Sequence, residues 1–337
     1  MSSKISSFYE GKTILVTGGT GSFGRRFVQT ILKTCHPKWV IVFSRDELKQ
    51  HDMRREIQDP RLKFFIGDIR DKERLYRAFK AEVDIVVHAA ALKQVPACEY
   101  NPFEAIQTNV IGAKNIIDAA IDCGISRVMA LSTDKAVSPI NLYGATKLCM
   151  EKIFTHGNSY SGPRDTRFAC VRYGNVVGSR GSVIPIFLEQ RETGTLTVTD
   201  KRMTRFWLTL DQGVRFVLSC IPLITGGEVF VPKISSMAVL DLAEAIGPDC
   251  EITTSGIRPG EKLHESLISE DEARNAVRVD KMFVIQPHDH KWVGPGSPQA
   301  EKLPDGFSYR SDNNDQWLTK ETLAQLSQTA HPAYADE

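Results

Sequence analysis

TILVTGGTGSFG (residues 13–24) joins a short apolar run to three regularly spaced glycines. The run at 13–17 has the length of a buried strand, and RRFV, which follows the glycines, begins a helical pattern. The glycines let the backbone turn sharply and approach a pyrophosphate, while the helix presents its N-terminus to the phosphates. A turn without a ligand would also use glycine, but the flanking strand and helix favour a nucleotide loop. We expect cofactor contacts from Thr17, Gly18, Thr20, Gly21, Ser22, Phe23 and Gly24.

Apolar runs of strand length recur after this loop, at 40–43, 63–67, 84–91, 127–132 and 167–172. Continuous rather than alternating apolarity is typical of strands that are buried on both faces of a parallel sheet. Helical patterns separate the runs; one spans 105–122, after Asn101-Pro102 and before Gly124. The chain is therefore predicted to be an α/β protein with a Rossmann-type doubly wound parallel sheet.

The alternation of strands and helices is lost after Gly174, where proline and glycine become more frequent. This change predicts a smaller, interleaved C-terminal substrate domain. We place the cofactor-binding domain at 1–178, with a return of the chain to it around 206–232, and the substrate domain at 179–205 and 233–337.

Composition excludes several classes of protein. Lys and Arg number 42 against 41 Asp and Glu, a net charge of +1, so a dedicated nucleic-acid binder is not expected. The seven cysteines are odd in number and contain no C-x-x-C pair, which favours a reducing cytoplasm. No signal peptide or long apolar segment is present, so we expect a cytoplasmic protein with no membrane contact. His288-Asp289-His290 has no third ligand nearby in sequence, so no metal is expected.

The end of the second apolar run indicates which dinucleotide is bound. NAD sites usually place an acidic residue there for the ribose 2′-hydroxyl, whereas an arginine accommodates the 2′-phosphate of NADP. Ser44, Arg45 and Lys49 therefore favour NADP, although Asp46 and Glu47 leave NAD open. Asp68 and Ile69 follow the third run, where adenine would lie; a turn or capping role for Asp68 is an equal alternative.

Tyr143 and Lys147 have the i, i+4 spacing that places two side chains on one face of a helix. A free phenol has a pKa near 10, too high for a base at neutral pH. A nearby ammonium and an oxidised nicotinamide would each favour the phenolate by about 3 kcal/mol at about 5 Å and an effective dielectric constant of about 20. Tyr-x-x-x-Lys is common on amphipathic helices, but after the glycine loop it predicts a catalytic pair.

Several motifs resemble those of extended short-chain dehydrogenases/reductases that act on nucleotide sugars. In chain order they are the glycine loop, His88-Ala89-Ala90-Ala91, Asn109, Tyr143-x-x-x-Lys147 and Tyr173-Gly174-Asn175-Val176. Thr133-Asp134-Lys135 further resembles the inverting UDP-N-acetylglucosamine 4,6-dehydratases (5-epimerising), whereas the retaining enzymes carry Thr-Asp-Glu there. ALKQVPACEYNP, RYGNVVGSRGSVIP, DKRMTRF, VPKISSM, IRPGEKLHE and SDNNDQWL extend the similarity over nearly the whole chain. The chain keeps the motif tyrosine, Tyr143. In this it resembles the short soluble branch of these dehydratases, which starts pseudaminic acid synthesis.

This resemblance implies a reaction and roles for particular residues. The substrate would be UDP-N-acetylglucosamine, and NADP would be tightly bound and recycled. Tyr143 would take the proton of the 4-hydroxyl, Lys135 the proton of carbon 5, and Asp134 would protonate the departing 6-hydroxyl. We expect burial beside Lys147 and the nicotinamide to lower the pKa of Lys135, so that this amine can act as a base. Thr133 completes the catalytic set.

The resemblance also implies further binding residues and an assembly. Cofactor contacts are expected from Ala89, Ala90, Ala91, Lys93, Asn109, Tyr143, Lys147 and Val176. Substrate contacts are expected from Lys93, Asn175, Val183, Thr204, Arg205, Arg258 and Glu261, with the arginines gripping the diphosphate. Relatives of this kind suggest a homo-oligomer such as a hexamer.

Two alternatives remain at this point. A nucleotide-sugar 4-epimerase or 4-reductase needs no acid for a departing hydroxyl, which would leave Asp134-Lys135 unexplained. A cofactor-sensing protein of the same fold that is not an enzyme commonly lacks the tyrosine-lysine pair, which this chain keeps.

Overall fold

The computed structural model describes residues 3–177, 183–287 and 300–329. The strands are β1 Thr13–Thr17, β2 Trp39–Ser44, β3 Leu62–Ile66, β4 Ile85–His88, β5 Arg127–Leu131, β6 Arg167–Val171, β7 Asn175–Val177, β8 Thr195–Val198, β9 Thr204–Thr209, β10 Val229–Pro232, β11 Ser235–Ala238, β12 Glu251–Thr254, β13 Ser266–Ile268, β14 Ala276–Val279, β15 Met282–Ile285, β16 Glu301–Lys302 and β17 Tyr309–Arg310. The helices are α1 Ser3–Phe8, α2 Ser22–Thr34, α3 Glu47–Glu56, α4 Lys72–Phe79, α5 Val95–Tyr100, α6 Pro102–Ile106, α7 Gly112–Cys123, α8 Leu142–Gly157, α9 Val183–Arg191, α10 Leu210–Cys220, α11 Val239–Ile246, α12 Glu270–Ala273 and α13 Lys320–Thr329.

A ten-stranded sheet forms the centre of the described structure, in the order β16-β14-β15-β10-β6-β5-β4-β1-β2-β3. The seven strands from β10 to β3 are parallel, and β15, β14 and β16 join antiparallel to one edge. The order 3-2-1-4-5-6 within it is that of the Rossmann fold. The predicted fold class is confirmed.

Alternate residues of β1 face opposite sides of this sheet, as the twofold period of a strand requires. Ile14 and Val16 belong to the apolar core on one face, where α2 contributes Phe27 and Ile31. Leu15 belongs to the core on the other face, which α4 and α7 cover. The strand is fully buried because helices cover both faces. This explains why its sequence is continuously apolar.

The helix predicted over 105–122 is interrupted. It consists of α6, a π-helical turn at Gln107–Ile111, and α7, which is followed by Gly124 in the left-handed conformation (φ 70°). Asn109 lies in the π turn, and its side-chain amide exchanges two hydrogen bonds of 2.8 Å with the backbone of Leu92. The wider turn thus presents Asn109 to the loop after β4.

The C-terminal half divides its strands between the main sheet and smaller ones. Two short sheets, β11-β9-β7 and β12-β8, contribute to a third apolar core that includes Phe187, Trp207 and Leu242, whereas the short sheet β13-β17 packs on the core of the main sheet. The chain returns to the main sheet at β10, within the predicted 206–232. However, β14, β15 and β16 also extend the main sheet, although they lie within 233–337, the range predicted for the substrate domain. Within the described ranges, no helix has the length and apolar character needed to cross a bilayer.

Candidate active site

A cleft of about 660 Å³ lies along the carboxyl ends of the parallel strands, where ligands bind in open α/β sheets. It runs from the glycine loop past the ends of β2, β4 and β5 to the start of α8. Most of the residues predicted for the cofactor line it: Gly18, Thr20, Gly21, Ser22, Phe23, Gly24, Ser44, Arg45, Lys49, Asp68, Ile69, Ala89, Ala90, Ala91, Lys93, Tyr143, Lys147 and Val176. Thr133, Asp134, Lys135, Asn175 and Val183 line it as well.

The glycine loop is shaped by two close backbone approaches. Gly18 has φ +66°, and a Cβ atom on it would lie 2.8 Å from the Cα and N atoms of Ala90. A Cβ atom on Gly24 would lie 2.6 Å from the Gly18 carbonyl oxygen. Only glycine allows the loop to pass this close to the strand ends. The loop leads into α2, whose first-turn N–H groups have no partner within the helix. This cradle fits a dinucleotide pyrophosphate.

The far end of the cleft carries the residues expected to select the cofactor. Arg45 is largely exposed, and its guanidinium Nη1 lies 3.8 Å from Asp68 Oδ2. Asp46 caps α3 by accepting a hydrogen bond from the Lys49 backbone N–H (3.0 Å). Asp68 accepts from the backbone N–H of Arg70 (2.9 Å), so it holds a turn in addition to lining the cleft.

Two predicted cofactor residues lie behind the cleft wall. Thr17 is buried, and its Oγ1 shares a hydrogen bond of 2.8 Å with His88 Nδ1. Asn109 is also buried, since its amide bonds to Leu92 and to Thr146 Oγ1 (3.0 Å). Both side chains are satisfied inside the protein, so they support the wall of the cleft and do not line it.

A one-turn 3₁₀ helix after β5 presents Asp134 and Lys135 to the cleft. Thr133 caps this turn and donates to Asp134 Oδ1 (2.8 Å), which also accepts from Lys135 Nζ (3.0 Å). Helix α8 starts opposite, where Asn141 accepts from the Gly144 N–H (2.8 Å). A Cβ atom on Gly144 would lie 2.2 Å from the Lys135 carbonyl oxygen, so glycine is required for this contact.

The cation that lowers the pKa of Tyr143 is Lys135, whereas the sequence predicted Lys147. Burial raises the pKa of Tyr143 to about 12, and the nearby Lys135 charge and a hydrogen bond with Thr133 act in the opposite direction. Lys147 instead donates to the Leu131 carbonyl oxygen (2.6 Å), and burial lowers its pKa to about 8. The expectation that Lys147 lowers the pKa of Tyr143 is therefore not met here, because the backbone of β5 holds the amine.

The pKa of Lys135 is shifted in the direction opposite to the one expected. Burial lowers it, as anticipated, but Asp134 and Glu265 outweigh burial and hold the pKa of Lys135 well above its ordinary value. Glu265 Oε1 lies 3.5 Å from Lys135 Nζ, and Arg205 is the cation that acts against the two carboxylates. The amine is thus an ammonium ion between two acids.

The four remaining substrate residues lie outside the cleft lining. Thr204 is buried and bonded to His264 Nδ1 (2.9 Å) and Ser311 Oγ (2.7 Å), so its hydroxyl is already satisfied. Arg205 donates to the carbonyl oxygens of Thr204 (2.8 Å) and Leu263 (3.1 Å). Arg258 is exposed on the loop before β13, and Glu261 is half-buried nearby. Contacts from Arg205, Arg258 and Glu261 to a substrate remain predictions.

A family model for polysaccharide biosynthesis proteins matches residues 14–287. The chain belongs to this family. The inverting UDP-N-acetylglucosamine 4,6-dehydratase of Campylobacter jejuni subsp. jejuni serotype O:2 is 47% identical to it over 94% of this chain and 98% of that protein. The UDP-glucose 4-epimerase of Rickettsia felis is 45% identical over 94% of this chain and 96% of that protein. The resemblance to inverting UDP-N-acetylglucosamine 4,6-dehydratases is confirmed.

Two solved structures are similar to this member of the polysaccharide biosynthesis family. Pen from Bacillus thuringiensis has a TM-score of 0.88 and 38% identity, covering 96% of this chain and 100% of that one. DesIV, a dTDP-glucose 4,6-dehydratase from Streptomyces venezuelae with NAD and TYD bound, has a TM-score of 0.66 and 25% identity. It covers 74% of this chain and 86% of that one.

Sequence reasoning predicted Asp134 but did not place Ser132, Trp207 or Glu265 at this site. Ser132 Oγ, Asp134 Oδ2 and Trp207 Nε1 are buried without a hydrogen-bond partner among the described residues, and all three side chains belong to the cleft lining. Glu265 was overlooked although it ends the motif IRPGEKLHE. Among the described residues, no group of three or more His, Cys, Asp or Glu could hold a metal; His288-Asp289-His290 lies outside them.

Proposed function

We propose that the protein is a UDP-N-acetylglucosamine 4,6-dehydratase that inverts carbon 5, giving UDP-2-acetamido-2,6-dideoxy-β-L-arabino-hex-4-ulose. The observation that carries this proposal is the hydrogen-bonded pair Asp134–Lys135 beside Tyr143 in one cleft. An acid and an amine at that position suit a reaction that removes both a proton and a hydroxyl. The 47% identity to a dehydratase of this kind over nearly the whole chain supports it.

We propose NADP as the resident cofactor, since the cradle at Gly18 and Gly24 fits its pyrophosphate and Arg45 suits a 2′-phosphate. When bound, NADP would supply the hydride chemistry of the reaction, an acceptor for the hydride of carbon 4 and a donor to carbon 6, and would be recycled and remain tightly bound. Lys147, Ala90 and Val176 line the part of the cleft between the glycine loop and Tyr143 and would hold its nicotinamide ring.

Tyr143 takes the proton of the 4-hydroxyl in this proposal. Its phenol is held by Thr133 and lies close enough to Lys135 for that charge to favour the phenolate. The 4-ketone that results acidifies the proton on carbon 5.

Asp134 and Lys135 then act as acid and base. Transfer of one proton across their 3.0 Å hydrogen bond converts the ion pair into a neutral amine and a carboxylic acid. Lys135 Nζ takes the proton of carbon 5, and Asp134 gives its proton to the 6-hydroxyl, which leaves as water. Elimination thereby restores the ion pair found in the structure. Carbon 5 is later reprotonated on the opposite face, which inverts it.

A 4-epimerase is the second candidate, because relatives of 45% identity carry the name UDP-glucose 4-epimerase. Epimerisation at carbon 4 uses a base and a hydride acceptor but no acid for a departing hydroxyl. The Asp134–Lys135 pair would then have no chemical task.

Incubation of the purified chain with UDP-N-acetylglucosamine and, separately, with UDP-glucose distinguishes the two functions. A dehydratase gives a product from UDP-N-acetylglucosamine that is lighter by one water and carries a ketone. An epimerase gives a product of unchanged mass, and that result with no dehydration would overturn the proposal.

We further propose that the protein acts in the cytoplasm as a homo-oligomer such as a hexamer, and that its product enters pseudaminic acid or a related surface sugar. The resemblance of the tyrosine-containing motif to that branch supports this assignment. Analytical ultracentrifugation tests the assembly, and a monomer at micromolar concentration would contradict it.

A further inference from the structure

A buried carboxylate outside the expected machinery faces Lys135. Glu265 lies directly before β13, and only 4% of its side chain is exposed. Its Oε1 lies 3.5 Å from Lys135 Nζ, and its Oε2 lies 3.8 Å from Lys262 Nζ. Its backbone is anchored, since the N–H of Glu265 donates to Ser311 Oγ (2.9 Å) and its carbonyl accepts from the Ser311 N–H (2.8 Å).

Asp134, Lys135, Lys262 and Glu265 form a charge cluster in which the two acids are buried and the two amines are partly buried. Lys262 Nζ donates to the Val137 carbonyl oxygen (2.5 Å). Glu265 is the shared counter-ion of both amines. Its Oε2 has no hydrogen-bond partner among the described residues, which leaves the carboxylate to act through its charge.

The groups that face Lys135 are on four different elements. Asp134 comes from the 3₁₀ turn, Glu265 from the residue before β13, Arg205 from β9 and Tyr143 from α8. The two acids favour the ammonium form, while Arg205 opposes it. Loss of Glu265 would leave Asp134 alone against Arg205 and burial.

We propose that Glu265 is a positioning residue for the dehydration, whose carboxylate holds the Lys135 ammonium beside Asp134 and fixes the pH range in which this pair holds the one proton that the reaction uses. This inference rests on the proposed function, because it assigns Lys135 the proton of carbon 5. It adds a residue that does not reach the cleft itself and acts through Lys135.

A purely structural residue at this place would behave differently on substitution. Glu265→Gln keeps the volume and polarity of the side chain but removes its charge. Lys135 then has one counter-ion, so it loses its proton at lower pH. A residue that only filled space would change stability or overall rate without moving the pH dependence.

The test measures kcat and KM for UDP-N-acetylglucosamine across pH, together with deuterium exchange at carbon 5. For Glu265→Gln we expect the basic limb of the kcat profile, where Lys135 loses the proton that Asp134 must deliver, to move to lower pH by at least about one pH unit, with KM little changed. Glu265→Asp keeps the charge but withdraws it from Lys135, so its limb should move in the same direction by less. Glu301→Gln, at an exposed carboxylate on β16, is the control and should match the wild type.

Two results would overturn the proposed role of Glu265, and a third would overturn the proposed function. A Glu265→Gln enzyme that melts like the wild type and keeps the wild-type basic limb overturns the inference. If that variant does not fold, an unmoved limb in Glu265→Asp overturns it instead. Absence of any dehydration by the wild type would count against the proposed function, and not against the role of Glu265 within it.

Discussion

Lys135 Nζ lies 3.0 Å from Asp134 Oδ1, so the two residues proposed as base and acid are hydrogen-bonded to each other. As an ion pair the two groups are unsuited to their tasks, because an ammonium cannot accept a proton and a carboxylate cannot donate one. A single proton transfer between them prepares both at once. The pair is thus more than two independent catalysts, and variants of either residue should affect both proton steps.

Replacement of Lys135 tests this coupling. Lys135→Met should lower the rate of dehydration by about 10²- to 10⁴-fold, because carbon 5 loses its base and Asp134 loses its proton source. Product formation followed by mass spectrometry measures this. Lys114→Met, at an exposed lysine paired with Asp118, is the control. Turnover of Lys135→Met near the wild-type rate would rule out the assignment.

Gly18 of the glycine loop and Gly11, which lies before β1, offer a matched pair of substitutions. Gly11 and Gly18 both have positive φ (70° and 66°), but a Cβ atom meets nothing within 4 Å at Gly11 and meets the Ala90 backbone at Gly18. Gly11→Ala should cost about 1 kcal/mol of stability from conformation alone. Gly18→Ala should destabilise the protein more and abolish its stabilisation by NADP. Thermal melting with and without NADP measures both effects, and equal behaviour of the two variants would contradict this description of the loop.

Arg45 is expected to determine the choice of dinucleotide. Arg45→Ala should weaken NADP binding at least about tenfold, since a charge-assisted contact to the 2′-phosphate is lost, while NAD binding changes little. Isothermal titration with both cofactors measures the ratio. Arg77→Ala, on the exposed side of α4, controls for the loss of one positive charge. An equal loss of affinity for both cofactors would show that Arg45 does not read the 2′-phosphate.

His88 should make stability depend on pH. Burial lowers the pKa of His88 to about 3, with a smaller contribution from Lys147, against an ordinary value of 6.5. Below pH 6.5 the unfolded chain binds a proton there that the folded chain does not, so the free energy of unfolding falls as pH decreases toward 3. The loss is on the order of 4 kcal/mol.

Urea unfolding of the wild type and of His88→Gln at several pH values between 3 and 7 measures this contribution. The variant should be less stable overall, because it loses the stacking of His88 on Phe154. Its stability should nevertheless fall less steeply with decreasing pH. Identical slopes for the two proteins would contradict the assignment of a buried neutral imidazole.

The central part of the fold could be predicted because its signals are local. Residues 13–17 are buried on both sides of the sheet, and their continuous apolarity is a direct consequence. β4 was predicted to extend to Ala91 but ends at His88, because Ala89 to Ala91 leave the sheet to line the cleft. β14 and β15 were not recognised, since short antiparallel strands at a sheet edge carry little sequence signal.

The site was predictable where spacing alone brings residues together. Tyr143 and Lys147 share a helix face, and both line the cleft. The contact between Lys135 and Glu265 depends on how β13 is placed against the 3₁₀ turn, which no local pattern reveals. Thr204 and Asn109 were expected in contact with ligands, but their hydrogen-bond partners inside the protein depend on tertiary structure.

The most direct test of the proposed function is the configuration of carbon 5 in the product formed from UDP-N-acetylglucosamine in deuterated water. Proton NMR should show a 4-keto-6-deoxy sugar that carries deuterium at carbon 5 and has the inverted configuration there. A product with retained configuration at carbon 5, or a 4-epimer with no loss of water, would contradict the assignment.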